Sequence, residues 1–167
     1  MGVSIVVMGV SGCGKSTLAA AVATAEGLPL LEGDDHHSAA NRDKMKRGIA
    51  LTDADREGWL ATLGDGLRAH PQGAVLTCSA LRHSYREQLR AAAPGLRFVF
   101  LDIGIEEAHA RVAARPSHFF NSSLVASQFA TLESPLGEAG VLRVDATLPP
   151  QSQLDQVCTW LHDKESA

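Results

Sequence analysis

The chain has 167 residues, of which 45% are hydrophobic and 20% are charged, and its formal net charge is −4. This length suits one domain that buries roughly 70% of the surface of its unfolded chain, and the composition is that of a soluble globular protein. A mildly acidic chain without a broad basic stripe argues against a nucleic-acid partner.

Cysteine usage and hydrophobicity indicate a cytoplasmic protein. Cys13, Cys78 and Cys158 are too few and too scattered for a disulfide framework, and none belongs to a C-x-x-C pair. The apolar segment 1–8 is too short for the core of a signal peptide. No apolar run approaches the length of a membrane span, so we expect reduced thiols, a cytoplasmic location and no membrane partner.

Continuous apolar runs predict buried parallel strands, and helical stretches separate them. The predicted strands are Val3–Met8, Pro29–Glu32, Ala74–Cys78, Arg97–Leu101 and Val141–Val144, of which Pro29–Glu32 has the weakest signal. The predicted helices are Lys15–Ala25, Asn41–Arg47, Asp53–Ala69, Tyr85–Ala92, Glu106–Ala114, Ser123–Leu132 and Gln153–His162. This alternation predicts an α/β fold in a single domain, with a five-stranded parallel sheet flanked by helices on both faces.

Short signals mark several helix ends. Thr52 and Asp55 resemble a capping box at the start of the third helix. Gly48 and the Pro94–Gly95 pair are expected to end two others.

A phosphate-binding motif follows the first predicted strand. Residues 9–16 match G-x-x-x-x-G-K-[ST] at every fixed position. The glycines let successive backbone N–H groups converge on a phosphate, and the helix that begins near Lys15 adds its positive end. We expect Lys15 to span the β- and γ-phosphates of ATP and the Ser16 hydroxyl to ligate Mg²⁺. The predicted ATP-binding residues are Gly9, Val10, Ser11, Gly12, Cys13, Gly14, Lys15, Ser16 and Thr17.

Other classes of nucleotide-binding protein fit this P-loop chain less well. The glycines at positions 9, 12 and 14 do not spell the G-x-G-x-x-G motif of dinucleotide-binding folds. Regulatory GTPases need N-K-x-D, whereas Asn41–Lys44 reads N-R-D-K. Motor and transport ATPases usually need a longer chain. A small-molecule kinase of the P-loop NTPase fold therefore fits best.

Two places offer a carboxylate for phosphoryl transfer. Asp102 follows an apolar strand like a Walker B acid, but an Asp there often caps the next helix instead. Glu32 and Asp34 lie at the end of the second strand, beyond which the acceptor pocket of this architecture lies. We favour this pair, with Glu32 holding a water of the Mg²⁺ shell and Asp34 accepting the proton of the attacking hydroxyl. A solvated turn with two chance acids is the alternative.

Motifs beyond the phosphate loop make the chain resemble a known family. They are Met8–Ser16, Leu31–Asp34 with His37 and Asn41, Lys44–Met45, Leu51–Arg56 with Trp59–Leu60, Cys78–Leu81, Tyr85–Arg86, Arg111, Arg115 with His118–Phe120, Leu124–Val125, Gln128–Phe129 and Thr131–Glu133. In this order, over nearly the whole chain, they resemble bacterial gluconokinase. The resemblance implies ATP:D-gluconate 6-phosphotransferase activity, a shikimate- and adenylate-kinase-like fold, and a homodimer.

The implied acceptor is a sugar acid, which needs a cation and hydrogen-bonding groups. Arg56 and Arg86 are the candidates for its carboxylate, because a guanidinium binds both oxygens. A surface salt bridge is the alternative for each arginine. His37 would hydrogen-bond a sugar hydroxyl or serve as a structural residue of the turn, and Gln128 is expected to touch the acceptor on the resemblance alone.

A mobile lid is expected at about residues 111–125, and the acceptor-binding region at about residues 35–70. Arg111 and Arg115 are four residues apart, so they lie on one face of a helix that leads to His118–Phe120. In kinases of this class, lid arginines offset charge on the phosphates in the transition state, and closure excludes water. An exposed helix face is the alternative for these arginines.

Two other functions stay open from the sequence. One is a kinase for another small hydroxy acid or nucleotide, and the other is a nucleotide-binding module that transfers no phosphate. Asp34 and the paired arginines argue against the module, because a sensor needs no acceptor base.

Overall fold

A sheet of five parallel strands lies at the centre of the protein. The computed structural model describes residues 2–114 and 124–163. The strands are β1 (Ile5–Met8), β2 (Leu30–Glu32), β3 (Val75–Thr77), β4 (Arg97–Asp102) and β5 (Val141–Asp145). Their order is β2-β3-β1-β4-β5, and every neighbouring pair is parallel. The predicted five-stranded parallel sheet is confirmed.

Helices connect the strands and cover the sheet. Within the described residues they are α1 (Lys15–Glu26), α2 (Ala39–Lys46), α3 (Asp53–Arg68), α4 (His83–Ala92), α5 (Ile105–Ala114), α6 (Leu124–Thr131) and α7 (Pro150–Leu161), with a 3₁₀ turn at Gly33–His36. From the central strand β1 the chain crosses to β2, at one edge of the sheet. Each later connection leads to a strand nearer the opposite edge, which β5 forms. Because such crossovers are right-handed, α1 lies on one face of the sheet and α3 and α4 lie on the other. Accordingly, α1 packs against α7, and α3 packs against α4.

The strands are apolar because the helices bury them from both faces. In β1, Ile5 is 1% exposed, and Val6, Val7 and Met8 are fully buried. Each such side chain contributes about 1.5–3 kcal/mol through its removal from water. β2 forms an edge of the sheet and its residues are only partly buried, which explains its weaker apolar signal in the sequence.

Local signals place several helix ends where the sequence predicts them. The Thr52 hydroxyl accepts a hydrogen bond from the Asp55 N–H at 3.1 Å, and the Asp55 carboxylate accepts one from the Thr52 N–H at 2.9 Å. These two bonds form the predicted capping box at the start of α3. Gly48 and Gly95 follow the ends of α2 and α4, as expected.

The topology brings three connecting segments together at one end of the sheet. The chain leaves β1 toward one edge and leaves β3 toward the other, so the topological switch point lies between β1 and β3. Ligands of open parallel sheets bind beyond the carboxyl ends of the strands at this point. The segments that begin there are the glycine loop after β1, the 3₁₀ turn after β2 and the connection from β3 to α4.

Part of the predicted lid lies outside the described residues. Arg115 and His118–Phe120 belong to that part, so their roles stay predictions, as does the division into a single domain with a lid. The predicted acceptor region at about residues 35–70 consists of the end of the 3₁₀ turn, α2 and α3. None of the described helices has the length and apolar character needed to cross a membrane.

Candidate active site

The loop between β1 and α1 has a backbone that only glycine accommodates at two of its positions. Gly9 and Gly12 have φ values of +146° and +87°. A Cβ on Gly9 would lie 2.8 Å from the carbonyl oxygen of Leu101, and one on Gly12 would lie 2.9 Å from that of Ala108. These close approaches explain why the motif needs glycine here.

Lys15 places a positive charge over this loop. Its ammonium donates hydrogen bonds to the carbonyl oxygens of Gly9 at 3.0 Å and Val10 at 3.1 Å. α1 begins at Lys15, so its positive end points in the same direction. The loop, the ammonium and the helix end together suit a phosphate. Cys13 is buried beneath them, and burial raises the pKa of its thiol, which makes it a packing residue and a poor nucleophile.

A chain of three oxygen-bearing side chains runs from α1 to β3. The Ser16 hydroxyl donates to Glu32 Oε2 at 3.0 Å, and the Thr77 hydroxyl donates to the same oxygen at 2.8 Å. Thr77 is 4% exposed and also accepts a hydrogen bond from the Gly33 N–H at 3.0 Å. Hydroxyl and carboxylate oxygens are ligands that Mg²⁺ accepts, so Ser16 and Glu32 fit this ion. Thr77, which the sequence analysis did not single out, fixes the orientation of the carboxylate.

The 3₁₀ turn after β2 is fastened to α3 by Trp59. The indole N–H of Trp59 donates to the carbonyl oxygen of Gly33 at 2.7 Å. The imidazole of His37 stacks on the indole, with ring centroids 4.0 Å apart and an interplanar angle of 17°. This contact fixes His37 beside Asp34, whose Oδ1 lies 4.0 Å from His37 Nε2.

His37 is uncharged near neutral pH. Burial lowers the pKa of its imidazole to about 4, and neighbouring guanidinium groups act in the same direction. His37 Nδ1 lies 3.4 Å from the side-chain nitrogen of Asn41, which is a donor, so Nδ1 accepts and the proton sits on Nε2. The Nε2–H therefore points toward Asp34 and the pocket. The structure shows the packing role of His37 on Trp59, and its hydrogen bond to an acceptor hydroxyl stays a prediction.

Basic residues of α2 fasten the acidic turn. Arg42 donates to the backbone oxygens of Asp34 at 3.3 Å, Asp35 at 2.9 Å and His37 at 3.3 Å. Lys44 contacts both carboxylate oxygens of Asp55, at 2.9 and 2.8 Å, and lowers the pKa of that carboxyl to about 2. These contacts hold the turn and α2 against α3.

Arg56 projects from the first turns of α3 into the pocket wall. Its Nη1 donates to the Tyr85 hydroxyl at 3.0 Å, and its Cζ lies 5.4 Å from the centre of the Tyr85 ring. The Tyr85 hydroxyl donates in turn to Asp53 Oδ1. Arg56 is therefore a cation at the pocket, as expected for a residue that binds a carboxylate.

Arg86 is not brought to this pocket, contrary to the sequence-based expectation. Its side chain is fully buried and donates to the carbonyl oxygens of Ala80 at 2.7 Å and Glu133 at 3.0 Å. It also forms a bidentate pair with Glu138, at 3.0 and 2.6 Å. Because four hydrogen bonds within the protein occupy the guanidinium, Arg86 is a structural residue that holds the segment after α6 against α4.

Two polar side chains from later in the chain contact the phosphate loop. Gln128 Oε1 accepts a hydrogen bond from the Ser11 N–H at 2.6 Å. Arg111 donates to the carbonyl oxygens of Gly12 at 3.3 Å and Ala146 at 3.0 Å, and it pairs with Glu107 at 3.0 Å. Arg111 thus lies against the loop, which suits the predicted contact with phosphate.

Asp102 lies at the end of β4 and takes no part in this pocket. Its carboxylate accepts a hydrogen bond from Arg143 Nε at 2.8 Å, on the neighbouring strand β5. The acidic pair at the end of β2 is the one at the phosphate loop, since Glu32 bonds Ser16 and Asp34 lines the pocket with Lys15.

Five of the predicted catalytic and acceptor residues, Lys15, Asp34, His37, Arg56 and Gln128, converge on one pocket at the topological switch point. It encloses about 580 Å³, including the part open to solvent. The polar residues that line it are Ser11, Lys15, Asp34, His37, Arg56, Trp59, Ser79, Ser127 and Gln128. A phosphate loop thus opens onto a pocket with an acid and a cation, which is an arrangement for moving a phosphoryl group to a small acceptor.

The fold and the phosphate loop define a P-loop kinase, and a family model described as an AAA domain matches residues 5–135. The chain is 47% identical to a gluconokinase of Gluconobacter oxydans (strain 621H) over 156 residues, which cover 92% of this chain and 88% of that protein. This chain belongs to the gluconokinase family.

Two further comparisons agree with this family. The chain is 39% identical to the thermosensitive gluconokinase of Escherichia coli (strain K12) over 148 residues, which cover 86% of this chain and 79% of that protein. The crystal structure of a gluconokinase from Sinorhizobium meliloti 1021 superposes with a TM-score of 0.87 at 45% identity, covering 95% of this chain and 90% of that one.

Proposed function

We propose that this protein transfers the γ-phosphoryl group of Mg·ATP to the terminal hydroxyl of D-gluconate, giving 6-phospho-D-gluconate and ADP. The observation that carries the proposal is that Lys15, Asp34 and Arg56 line a single pocket beside the phosphate loop. A phosphate cation, an acid for the attacking hydroxyl and a cation for a carboxylate are the groups that this reaction requires. The names of the relatives support gluconate as the acceptor.

At the nucleotide end, the loop from Gly9 to Thr17 binds ATP. Its backbone N–H groups and the start of α1 hold the phosphates, and Lys15 offsets negative charge on the β- and γ-phosphates. Arg111 lies against the carbonyl oxygen of Gly12 and adds a second cation. Arg115, outside the described residues, is proposed to act with Arg111 from the lid.

The Mg²⁺ ion of Mg·ATP is assigned to Ser16 and Glu32. The hydroxyl of Ser16 would bind the ion directly, and Glu32 would hold one of its waters. The Ser16 and Glu32 oxygens are 3.0 Å apart, which supports their acting on the same ion. When bound, Mg²⁺ neutralises phosphate charge, while Thr77 keeps the Glu32 carboxylate in position.

At the acceptor end, Asp34 takes the proton of the attacking hydroxyl. Within the described residues, the ion pair found at its carboxylate is the one with His37, whose Nε2 lies 4.0 Å from Oδ1. Neutral His37 donates its Nε2–H, and Gln128 offers its amide to the acceptor hydroxyls. Arg56 binds the carboxylate at the other end of the acceptor, which orients the terminal hydroxyl toward the phosphate loop.

Location and assembly are part of the proposal. The thiols of Cys13, Cys78 and Cys158 are free, which supports a reducing compartment and hence the cytoplasm. A homodimer is proposed from the family resemblance, and light scattering coupled to size-exclusion chromatography measures it.

The experiment is a coupled ADP-release assay with D-gluconate, D-glucose and shikimate. A neutral sugar leaves the Arg56 cation unpaired, at a cost of roughly 2–5 kcal/mol, so kcat/KM for gluconate should exceed that for glucose by about 30-fold to 5,000-fold. Arg56→Ala should collapse this preference and leave KM for ATP near its original value. Arg68→Ala, at an exposed position of the same helix, is the matched control. A wild-type preference for glucose or shikimate would overturn gluconate as the acceptor.

A further inference from the structure

Among the residues that the structure describes, the Arg56 guanidinium has no direct carboxylate partner. No carboxylate oxygen within residues 2–114 and 124–163 lies within 4.0 Å of it, although Asp53 is only three residues away on the same helix. Between the two charges stands the hydroxyl of Tyr85, which contacts both. The pocket therefore contains a cation that is linked to a nearby acid through a neutral group.

The chemistry of the donors fixes the direction of these two hydrogen bonds. A guanidinium only donates and a carboxylate only accepts, so the single phenolic hydrogen goes to Asp53 and the phenolic oxygen accepts from Arg56 Nη1. Tyr85 is 5% exposed, so its ring cannot swing freely away. Burial raises the pKa of Tyr85, and the bond to Asp53 acts in the same direction, so the phenol keeps its proton.

The charge of Asp53 also has a cationic neighbour, Arg82. Arg82 Nε lies 3.7 Å from Asp53 Oδ1. The acid is therefore partly compensated by a cation that does not line the pocket, while the charge of Arg56 stays available there.

We propose that Tyr85 is a positioning residue that holds Arg56 for the acceptor carboxylate and prevents Asp53 from pairing with it. The inference rests on the proposed function, because it assumes that Arg56 binds that carboxylate. A bond to one Nη1 hydrogen fixes the plane of the guanidinium and leaves its other N–H groups for the ligand. Without the hydroxyl, Asp53 becomes a competitor for the same cation.

Tyr85→Phe tests the proposal, because it removes the hydroxyl and keeps the ring and its contact with Arg56. KM for gluconate should rise on the order of tenfold, which corresponds to about 1.4 kcal/mol, while kcat and KM for ATP change less than threefold. The ratio of kcat/KM for gluconate to that for neutral D-gluconamide should fall by a similar factor. A general loss of stability would instead lower kcat/KM for gluconate and for gluconamide by the same factor.

Removing the competing charge should rescue the variant. In Tyr85→Phe/Asp53→Asn, KM for gluconate should return to within about threefold of the wild-type value, since Arg56 no longer has a carboxylate to pair with. Thr62→Val removes another hydroxyl from the α3 region, one that bonds only the Gly58 carbonyl on an exposed face, and it should leave KM unchanged. In an Arg56→Ala background, Tyr85→Phe should have no further effect on KM.

The outcomes separate this inference from the proposed function. If the wild-type protein does not phosphorylate gluconate, both fail. If it does, and Arg56→Ala raises KM while Tyr85→Phe leaves it within twofold, the inference alone is refuted. A rise in KM that Asp53→Asn does not reverse refutes the separating role of the hydroxyl.

Discussion

Replacing Arg86 by methionine should destabilise the protein strongly and leave the acceptor preference intact. Methionine replaces the aliphatic part of the arginine side chain and removes its guanidinium, so the main loss is hydrogen bonding and charge pairing. The carbonyl oxygens of Ala80 and Glu133 lose their partner, and each buried unsatisfied group costs about 1–3 kcal/mol. Glu138 loses a bidentate partner but keeps Arg90 at 2.9 Å, which reduces its share of the loss. We expect a total of about 3–5 kcal/mol.

Urea denaturation followed by circular dichroism measures this change. The midpoint should fall while the slope with denaturant stays constant, because the surface exposed on unfolding is unchanged. Arg68→Met is the matched control. Arg68 pairs with Asp65 at a similar distance, 2.7 Å, but the two side chains are 58% and 76% exposed, so the loss should stay below about 1 kcal/mol.

The reasoning about Arg86 would be refuted by either of two results. One is a free energy of unfolding for Arg86→Met within about 1 kcal/mol of the Arg68→Met value. The other is an increase in KM for gluconate of tenfold or more without loss of stability. That result would indicate that Arg86 binds the acceptor.

Three further predictions concern the pocket. Lys15→Ala should lower kcat on the order of a thousandfold in the coupled assay, and activity within about tenfold of wild type would contradict its role. Asp34→Asn should abolish turnover while calorimetry still detects ATP binding. Glu32→Gln should mainly raise the Mg²⁺ concentration needed for half-maximal rate. If each variant showed the effect expected of the other, the two roles would be assigned the wrong way round. Because the pKa of His37 is about 4 in the fold and near 6.5 when unfolded, the unfolded chain binds more protons between these values, and stability should fall as the pH is lowered through this window. His37→Gln should flatten that part of the stability profile, and an unchanged profile would show that His37 titrates normally.

Features encoded in a few consecutive residues were predictable from the sequence. The glycine loop at 9–16 and the Thr52–Asp55 capping box each combine residues whose geometry depends on near neighbours. The buried strands were predictable because a strand covered on both faces has no polar side. Asp34 and Arg56 lie in the pocket because each follows such a local landmark, the end of β2 and the start of α3.

Contacts between distant parts of the chain were not predictable in the same way. Arg86 pairs with Glu138 across 52 residues, and nothing in its neighbourhood distinguishes a buried arginine from a ligand-binding one. The bond from the Ser11 N–H to Gln128 spans 117 residues, and the bond from Thr77 to Glu32 spans 45. The one available signal for Thr77 is its place at the end of β3, beside β2 in a parallel sheet.

The central place of β1 affects how the protein can be made. Ile5 pairs with Val75 on one side and with Arg97 on the other, so both partners of this strand are synthesised much later than the strand itself. At 5–20 residues per second, the roughly 90 residues between β1 and β4 take about 5–20 s to translate. During that interval the apolar strand β1 lacks at least one neighbour, and it lacks both until β3 has been made. Slower translation or heat should therefore lower the yield of folded protein through aggregation of nascent chains, even where the finished fold is stable.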